Sequence, residues 1–378
     1  MTRLPIAVVG VGHLGKEHAR ILSSMPEVHL VAVIDPNLAQ AEGVAMRCNT
    51  RAVADHRAIV GSIRGAVIAA PTCHHHAVAR DILQHGVGLL VEKPLANSPT
   101  LARDLVAIAK ANKATLQVGH IERFNPAFEE LCDRHLSPRY IACERFSGFS
   151  GRSTDVGVVL DLMIHDLDLV LSLVRSPVAS VEAMGVSVLG GNEDLVQARV
   201  RFENGCVADL SASRVHPESL RRMRVWGAEG YAGIDFAKRT LSLMQPGEHL
   251  RQGRVDSRRL DPATVMSLKT ELFARHVHTT EVDCGSRHER DQLTRELDDF
   301  VDCLRTGAEP RVTGEAGAEA LELAARILTS LDAHQWEGMI NGAVGPHQIP
   351  ALAGRLFSPP HWSVQEGSSQ ESSAQRAA

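Results

Sequence analysis

Lys93 lies in Glu92-Lys93-Pro94, at the end of an apolar strand pattern that closes a glycine-loop nucleotide-binding pattern. An ammonium held there, outside the carboxyl end of a strand where ligands of such sheets bind, can meet a ligand. Asp161 and His165 stand four residues apart in a helical run from Val158 to Val174, so both side chains fall on one face and can meet one ligand. An imidazole has an ordinary pKa of about 6.5 and can accept a proton near neutrality. A lone histidine in an apolar helix is otherwise most often a satisfied core residue.

Such groups need a cofactor beside them. Gly10-Val11-Gly12-His13-Leu14-Gly15 fits the dinucleotide fingerprint: one glycine makes the tight turn, the second admits the pyrophosphate and the third lets helix and strand pack closely. A strand precedes it and a helical pattern from Leu14 to Ser24 follows, whose N-terminus favours phosphate charge. Asp35 ends the next strand, twenty residues after Gly15. A carboxylate there accepts both adenine-ribose hydroxyls and repels a 2′-phosphate, which predicts NAD rather than NADP. The competing reading of Asp35 is a solvated turn residue ahead of Pro36.

The elements that must position these residues form two textures. From residue 4 to about 120, short apolar runs (Ile6 to Val9, His29 to Ile34, Ala66 to Ala69, Gly88 to Val91, Thr115 to Val118) alternate with helical patterns such as His75 to Gln84 and Thr100 to Lys110. That alternation predicts an α/β Rossmann domain, a doubly wound parallel sheet, over 1–122. Beyond Phe124, alternating runs appear at Arg139 to Phe146, Val178 to Leu189, Asp194 to Phe202, Cys206 to Val215, Arg222 to Trp226 and Leu241 to Met244. With helical patterns at Arg290 to Leu304 and Glu315 to Leu331, they predict an α+β domain over 123–345 with a large mixed or antiparallel sheet. The Ser/Gly-rich end of the remainder, 346–378, lacks apolar pattern and reads as a disordered tail.

Composition excludes several classes. A chain of 378 residues with 44% hydrophobic content exceeds one ordinary core, and a formal charge of -5 offers no broad cationic surface for nucleic acid or an anionic membrane. No run approaches the roughly 20 apolar residues of a membrane span, and the apolar start is too short for a signal-peptide core, which predicts a cytoplasmic protein. Seven scattered cysteines include no Cys-x-x-Cys pair and read as reduced thiols. The run His74-His75-His76 invites a metal reading, but adjacent histidines diverge on a regular backbone and no acid or cysteine lies close in sequence. No metal is expected.

Three stretches together resemble the glucose-fructose oxidoreductase, inositol dehydrogenase and rhizopine catabolism (Gfo/Idh/MocA) oxidoreductases: the fingerprint with Asp35, Pro71-Thr72 through His75 into Glu92-Lys93-Pro94, and Asp161-Leu162-Met163-Ile164-His165. The resemblance spans residues 4 to about 335. It implies that Pro71, Thr72, His75 and Glu92 join the fingerprint at the cofactor, that His165 takes the proton of a substrate hydroxyl while hydride leaves the same carbon, and that Lys93 stabilises the oxyanion or passes the proton. It implies further that Asp161 hydrogen-bonds the substrate and that Lys93-Pro94 is a cis peptide. The family's glycine-rich stretch before the catalytic helix is reduced here to Asp155-Val156-Gly157-Val158-Val159, which leaves the loop's approach to substrate open.

Within the family, Val118 to Pro126 and Leu160 to Asp168 look most like the branch acting on nucleotide sugars. The implied substrate is UDP-N-acetylglucosamine, oxidised at C3 to a keto sugar that a PLP-dependent aminotransferase converts to a 3-amino sugar for lipid A. Arg123 and Asn125, at the domain junction, can reach substrate, although Arg123 is equally suited to an interdomain salt bridge. Arg145 and Arg152 flank the segment Ser147-Gly148-Phe149-Ser150-Gly151 and can supply a diphosphate with cations and amides, unless the loop is merely mobile and its arginines solvated. Rival readings are a dehydrogenase of a free polyol such as inositol and a non-catalytic NAD-binding regulator. The resemblance also implies a homodimer or homotetramer joined through the open face of the second sheet.

Overall fold

The computed structural model describes residues 3–149, 151, 156–252, 258, 260–336 and 342–347, so Arg152 and nearly all of the expected tail lie outside the described residues. The first six strands are β1 (Leu4–Val9), β2 (Val28–Ile34), β3 (Arg51–Val53), β4 (Gly65–Ile68), β5 (Gly88–Glu92) and β6 (Leu116–Gly119). They form one parallel sheet in the order β3-β2-β1-β4-β5-β6. Both faces are covered, which is why the central strands read as unbroken apolar runs. The sequence gives no apolar run for β3, a three-residue edge strand without a fully buried side chain.

Alternation along each strand feeds two cores. Ile6, Val8, Val67 and Leu90 face helices α1 (Gly15–Ser24) and α2 (Leu38–Cys48). Ala7, Val9, Ala66 and Ile68 face α3 (Thr72–Leu83) and α4 (Pro99–Ala111) in a core that continues into the second half of the chain. The strand order reverses between β1 and β4, and ligands of open α/β sheets bind at such a reversal, outside the carboxyl ends of the strands.

The second sheet contains β7 (Pro138–Phe146), β8 (Val178–Val186), β9 (Leu195–Phe202), β10 (Val207–Ser213), β11 (Leu220–Gly227), β12 (Gly230–Asp235), β13 (Thr240–Pro246) and β14 (Val277–Asp283). Their order is β14-β13-β12-β11-β7-β10-β9-β8, mixed because β7 and β10 run parallel while every other pair is antiparallel. β9 alternates strictly between exposed and buried residues, as a sheet with one covered face requires. The apolar pattern does not mark β12, which contains two glycines, or β14, an edge strand with no fully buried residue.

The remaining helices are α5 (Pro126–Asp133), α6 (Ile164–Val174), α7 (Glu248–Arg251), α8 (Pro262–Glu271), α9 (Gln292–Thr306) and α10 (Gly314–Asp332). Leu297, Phe300 and Val301 of α9 pack beneath the first sheet beside α1, so the chain returns late to finish the nucleotide-binding half. The run expected as one helix from Val158 begins instead with a π turn, Val159–Met163, that leads into α6.

Candidate active site

The glycine loop has the geometry of a phosphate cradle. Gly10 has φ of 83°, and a Cβ there would lie 2.6 Å from the Ala70 nitrogen; a Cβ on Gly15 would lie 1.8 Å from the Gly10 oxygen. At Gly12 nothing stands within 4 Å of that position, which leaves open space where a pyrophosphate approaches the backbone. Asp35 accepts from the Val11 amide at 3.0 Å and the Asn37 amide at 2.9 Å, so the loop itself fixes the carboxylate. A cleft of about 690 Å³ runs past Gly10, Gly12, Asp35, Pro71 and His74. His13 and Leu14 are exposed beside the loop, and Thr72 is half-buried at the start of α3. These residues fit an adenine dinucleotide.

His75 has another place. Its ring is buried, with Nδ1 2.9 Å from the Pro94 carbonyl and Nε2 2.8 Å from the Ala70 carbonyl. Burial pushes its pKa down against the pull of those carbonyls. The imidazole therefore ties the cofactor loop to the Lys93-Pro94 turn and is not presented to a ligand. His74 is exposed, and His76 pairs with Asp104 at 2.7 Å, so the three rings diverge.

Alternation at the end of β5 sends Glu92 inward and Lys93 to the cleft. The Lys93-Pro94 bond is cis. Lys93 Nζ donates to the Asp161 carbonyl at 2.6 Å and to Asp161 Oδ1 at 3.1 Å. The π turn widens the helix where Asp161 offers both acceptors, a distortion that recurs at functional sites. His165 follows on α6, and its Nδ1 has no partner among the described residues. Burial first, then the cations Lys93 and Arg145, push His165 well below its ordinary pKa, which keeps the imidazole neutral and able to accept a proton.

His120, directly after β6, joins this site although no sequence motif marks it. Its ring stands edge-on to His165 with centroids 6.3 Å apart, is 1% exposed, and has neither nitrogen partnered among the described residues. Burial lowers its pKa as well. The available signal was position: a histidine directly after a strand whose carboxyl end faces the cleft.

Other residues expected at the substrate are used by the scaffold. Asn125 is 1% exposed, its amide donates to Glu122 and the Phe236 carbonyl, and its oxygen accepts from the Ala127 amide, so it caps α5 and offers nothing to a ligand. Arg123 is held by Asp168 at 2.7 and 3.0 Å, a salt bridge within the second half of the chain and not the interdomain one expected. Arg145 is 4% exposed and grips Asp166 at 3.0 and 2.7 Å and Glu122 at 2.9 Å. Burial works against its charge, but the two carboxylates hold it ionised; it is not a diphosphate ligand. Gly157 gives its space to protein, since a Cβ there would lie 1.9 Å from the Glu193 carboxylate, which caps the π turn through the Val159 amide at 3.1 Å.

Behind Lys93, His18 of α1, Glu92 and Glu296 of α9 form a buried cluster, with His18 Nε2 2.7 Å from Glu92 Oε1. Glu92 was expected at the cofactor; its carboxylate instead faces this interior. Burial opposes its charge, yet the His18 hydrogen bond holds its pKa down. Burial pushes Glu296 well above the usual carboxyl range. Two facing atoms at 2.7 Å are closer than ligands spread around one ion, so the pair reads as a hydrogen bond. Glu296 is detectable as an acid on the apolar stripe Leu293, Leu297, Phe300.

A dinucleotide cleft along the glycine loop and Asp35, together with an ammonium after β5 that meets a carboxylate and stands near a neutral imidazole, defines an NAD-dependent dehydrogenase acting on a CH–OH group. Comparison with known proteins agrees. Residues 4–120 match the family model "Oxidoreductase family, NAD-binding Rossmann fold" and residues 134–232 match "GFO/IDH/MocA C-terminal domain". The chain belongs to the Gfo/Idh/MocA oxidoreductases.

A UDP-N-acetylglucosamine 3-dehydrogenase from Acidithiobacillus ferrooxidans is 33% identical over 334 residues, 88% of this chain and 99% of that protein. A solved structure of that enzyme superposes with a TM-score of 0.75, covering 87% of this chain and 98% of the other at 32% identity. The scyllo-inositol 2-dehydrogenase (NAD(+)) of Bacillus subtilis is 27% identical over 328 residues, covering 81% of this chain and 88% of that protein. Among the described residues no helix is long and apolar enough to cross a membrane.

Proposed function

We propose that this protein oxidises UDP-N-acetylglucosamine at C3 to the 3-keto sugar. The observation that carries the substrate is the 33% identity to a UDP-N-acetylglucosamine 3-dehydrogenase over 99% of that protein's length. The reaction type rests on the site. Gly12 and Asp35 would hold the pyrophosphate and the adenine ribose of NAD, which would supply the hydride acceptor. His165 removes the hydroxyl proton as hydride leaves the same carbon. Lys93, already oriented by Asp161 at 3.1 Å, donates to the oxyanion, and Asp161 accepts from a neighbouring hydroxyl.

The keto sugar suits a PLP-dependent aminotransferase that installs a 3-amino group for lipid A, and the reading places both enzymes in the cytoplasm, where nucleotide sugars and NAD are found. The open face of the second sheet, with Met184 41% and Trp226 36% exposed, suits packing against a second copy in a homodimer or homotetramer.

Incubation with NAD, UDP-N-acetylglucosamine, a PLP aminotransferase and an amino donor tests the reading. NADH absorbance and a 3-amino sugar by mass spectrometry are expected. Robust oxidation of inositol with no 3-amino sugar transfers the assignment to the polyol reading, which the inositol dehydrogenases among the relatives favour.

A further inference from the structure

The diphosphate of such a substrate calls for a cation, and of the two expected from sequence, Arg152 lies outside the described residues and Arg145 is buried between Asp166 and Glu122. Strand register supplies a replacement. On β7 and β11, Arg145 pairs directly with Arg221, so their side chains share one face of the sheet. That face is the covered one: along β11, Arg221 is followed at alternate positions by buried Met223 and Val225, and along β7, buried Ile141 and Cys143 lead to Arg145. Arg221 continues the same side past the edge of the core and is exposed. It stands near enough to His165 to help lower that residue's pKa, and near enough to Asp166 to act on it too.

The neighbouring arginines show what distinguishes it. Arg222 and Arg224 point to the opposite face, where Asp235 at 3.4 Å and Glu144 at 2.7 Å neutralise them. No described carboxylate lies within 4.0 Å of the Arg221 guanidinium. Beside it, the loop after β7 folds against the loop after β10, with the Ser147 amide donating to Ser213 and His216 donating back to Ser147. Its next residue, Gly148, has the His216 carbonyl 3.9 Å from a Cβ position as its nearest neighbour, so the backbone there is open to a ligand.

We propose that Arg221, with the backbone amide of Gly148, is the subsite that binds the diphosphate of a nucleoside-diphosphate sugar. The inference deepens the proposed function and rests on it. An arginine fork matches two phosphate oxygens, whereas a free polyol has nothing to place there. The anchor would hold the nucleotide at one end of the sheet while the sugar reaches His165.

Calorimetric titration of the full chain, saturated with NAD, with UDP and with UDP-N-acetylglucosamine tests this. Arg221→Ala should weaken both by about 10- to 100-fold, as loss of a charge-assisted hydrogen bond does, and Arg221→Lys should lose less. NAD affinity should stay unchanged, which also establishes that the variants are folded. UDP binding equal in Arg221→Ala and the unmodified protein overturns the subsite while leaving the substrate reading intact. Absence of UDP binding in the unmodified protein overturns the substrate reading itself, and this inference with it.

Discussion

Two pairs of side chains on one stretch of helix, Asp161 with His165 and Asp166 with Asp168, have opposite surroundings. Asp166 and Asp168 are 2% and 1% exposed, and each is held by both arms of an arginine, Arg145 and Arg123. Asp161 and His165 are half-buried, face a lysine, and leave hydrogen-bonding capacity unused, with a second unpartnered imidazole, His120, beside them. Buried polar groups are normally satisfied, so the first set reads as finished scaffold and the second as a site completed by a ligand. The contrast also explains why charge alone misplaces function: the buried ion pairs of Asp166 and Asp168 hold the helix that presents the reactive residues.

The comparison is tested most severely at the unsatisfied set. His165→Ala and Lys93→Ala should each lower kcat by about 10²–10⁴ while NAD affinity stays close to that of the unmodified protein, as fluorescence titration would show. Near-normal turnover in the His165 variant would make another residue, His120 first, the base.

The satisfied set should answer in stability. Arg145→Ala leaves two buried carboxylates without their cation and should cost about 3–5 kcal/mol in urea unfolding. A loss confined to kcat would place Arg145 at the substrate after all. At the cofactor end, Asp35→Ala should weaken NAD binding by about 10- to 100-fold and narrow the discrimination against NADP. Equal affinity of the unmodified protein for both cofactors would remove Asp35 from the ribose.

The smallest effect is in pH. The folded pKa of His165 lies well below its ordinary value, so between the two the unfolded chain binds a proton that the folded chain refuses. Its contribution to stability is complete above about pH 6.5 and falls as pH drops toward the folded pKa. His165→Asn should flatten that fall in thermal denaturation. Since burial keeps His165 neutral in the free chain near pH 6.5, kcat/KM should show no acid limb centred there; such a limb would mean that the ring is charged in the free enzyme.

Legibility in the sequence followed locality. The glycine loop, Asp35 and Glu92-Lys93-Pro94 are contiguous signals whose geometry is set within a few residues, and the apolar alternation of β9 or the run in β5 marks its own element. The roles of Asn125 and Arg145 were not legible, and that of Arg123 stayed open, because what consumes them is remote: the Phe236 carbonyl, Asp166 and Asp168 are brought near by folding alone. His75 lay in a recognisable motif, yet its ring turned to two carbonyls that the motif does not reveal. β3, β12 and β14 escaped notice because edge position or glycine removed the apolar period. Arg221 became visible only through its cross-strand pairing with Arg145.

The central proposal, that Lys93, Asp161 and His165 promote loss of the C3 hydride of a UDP-sugar to NAD, is most directly tested with UDP-N-acetylglucosamine deuterated at C3. Incubated with NAD and the purified chain, it should yield NADH carrying one deuterium, and no such product should form with His165→Ala at matched times. Unlabelled NADH from that substrate, or none while inositol is oxidised freely, would contradict the account.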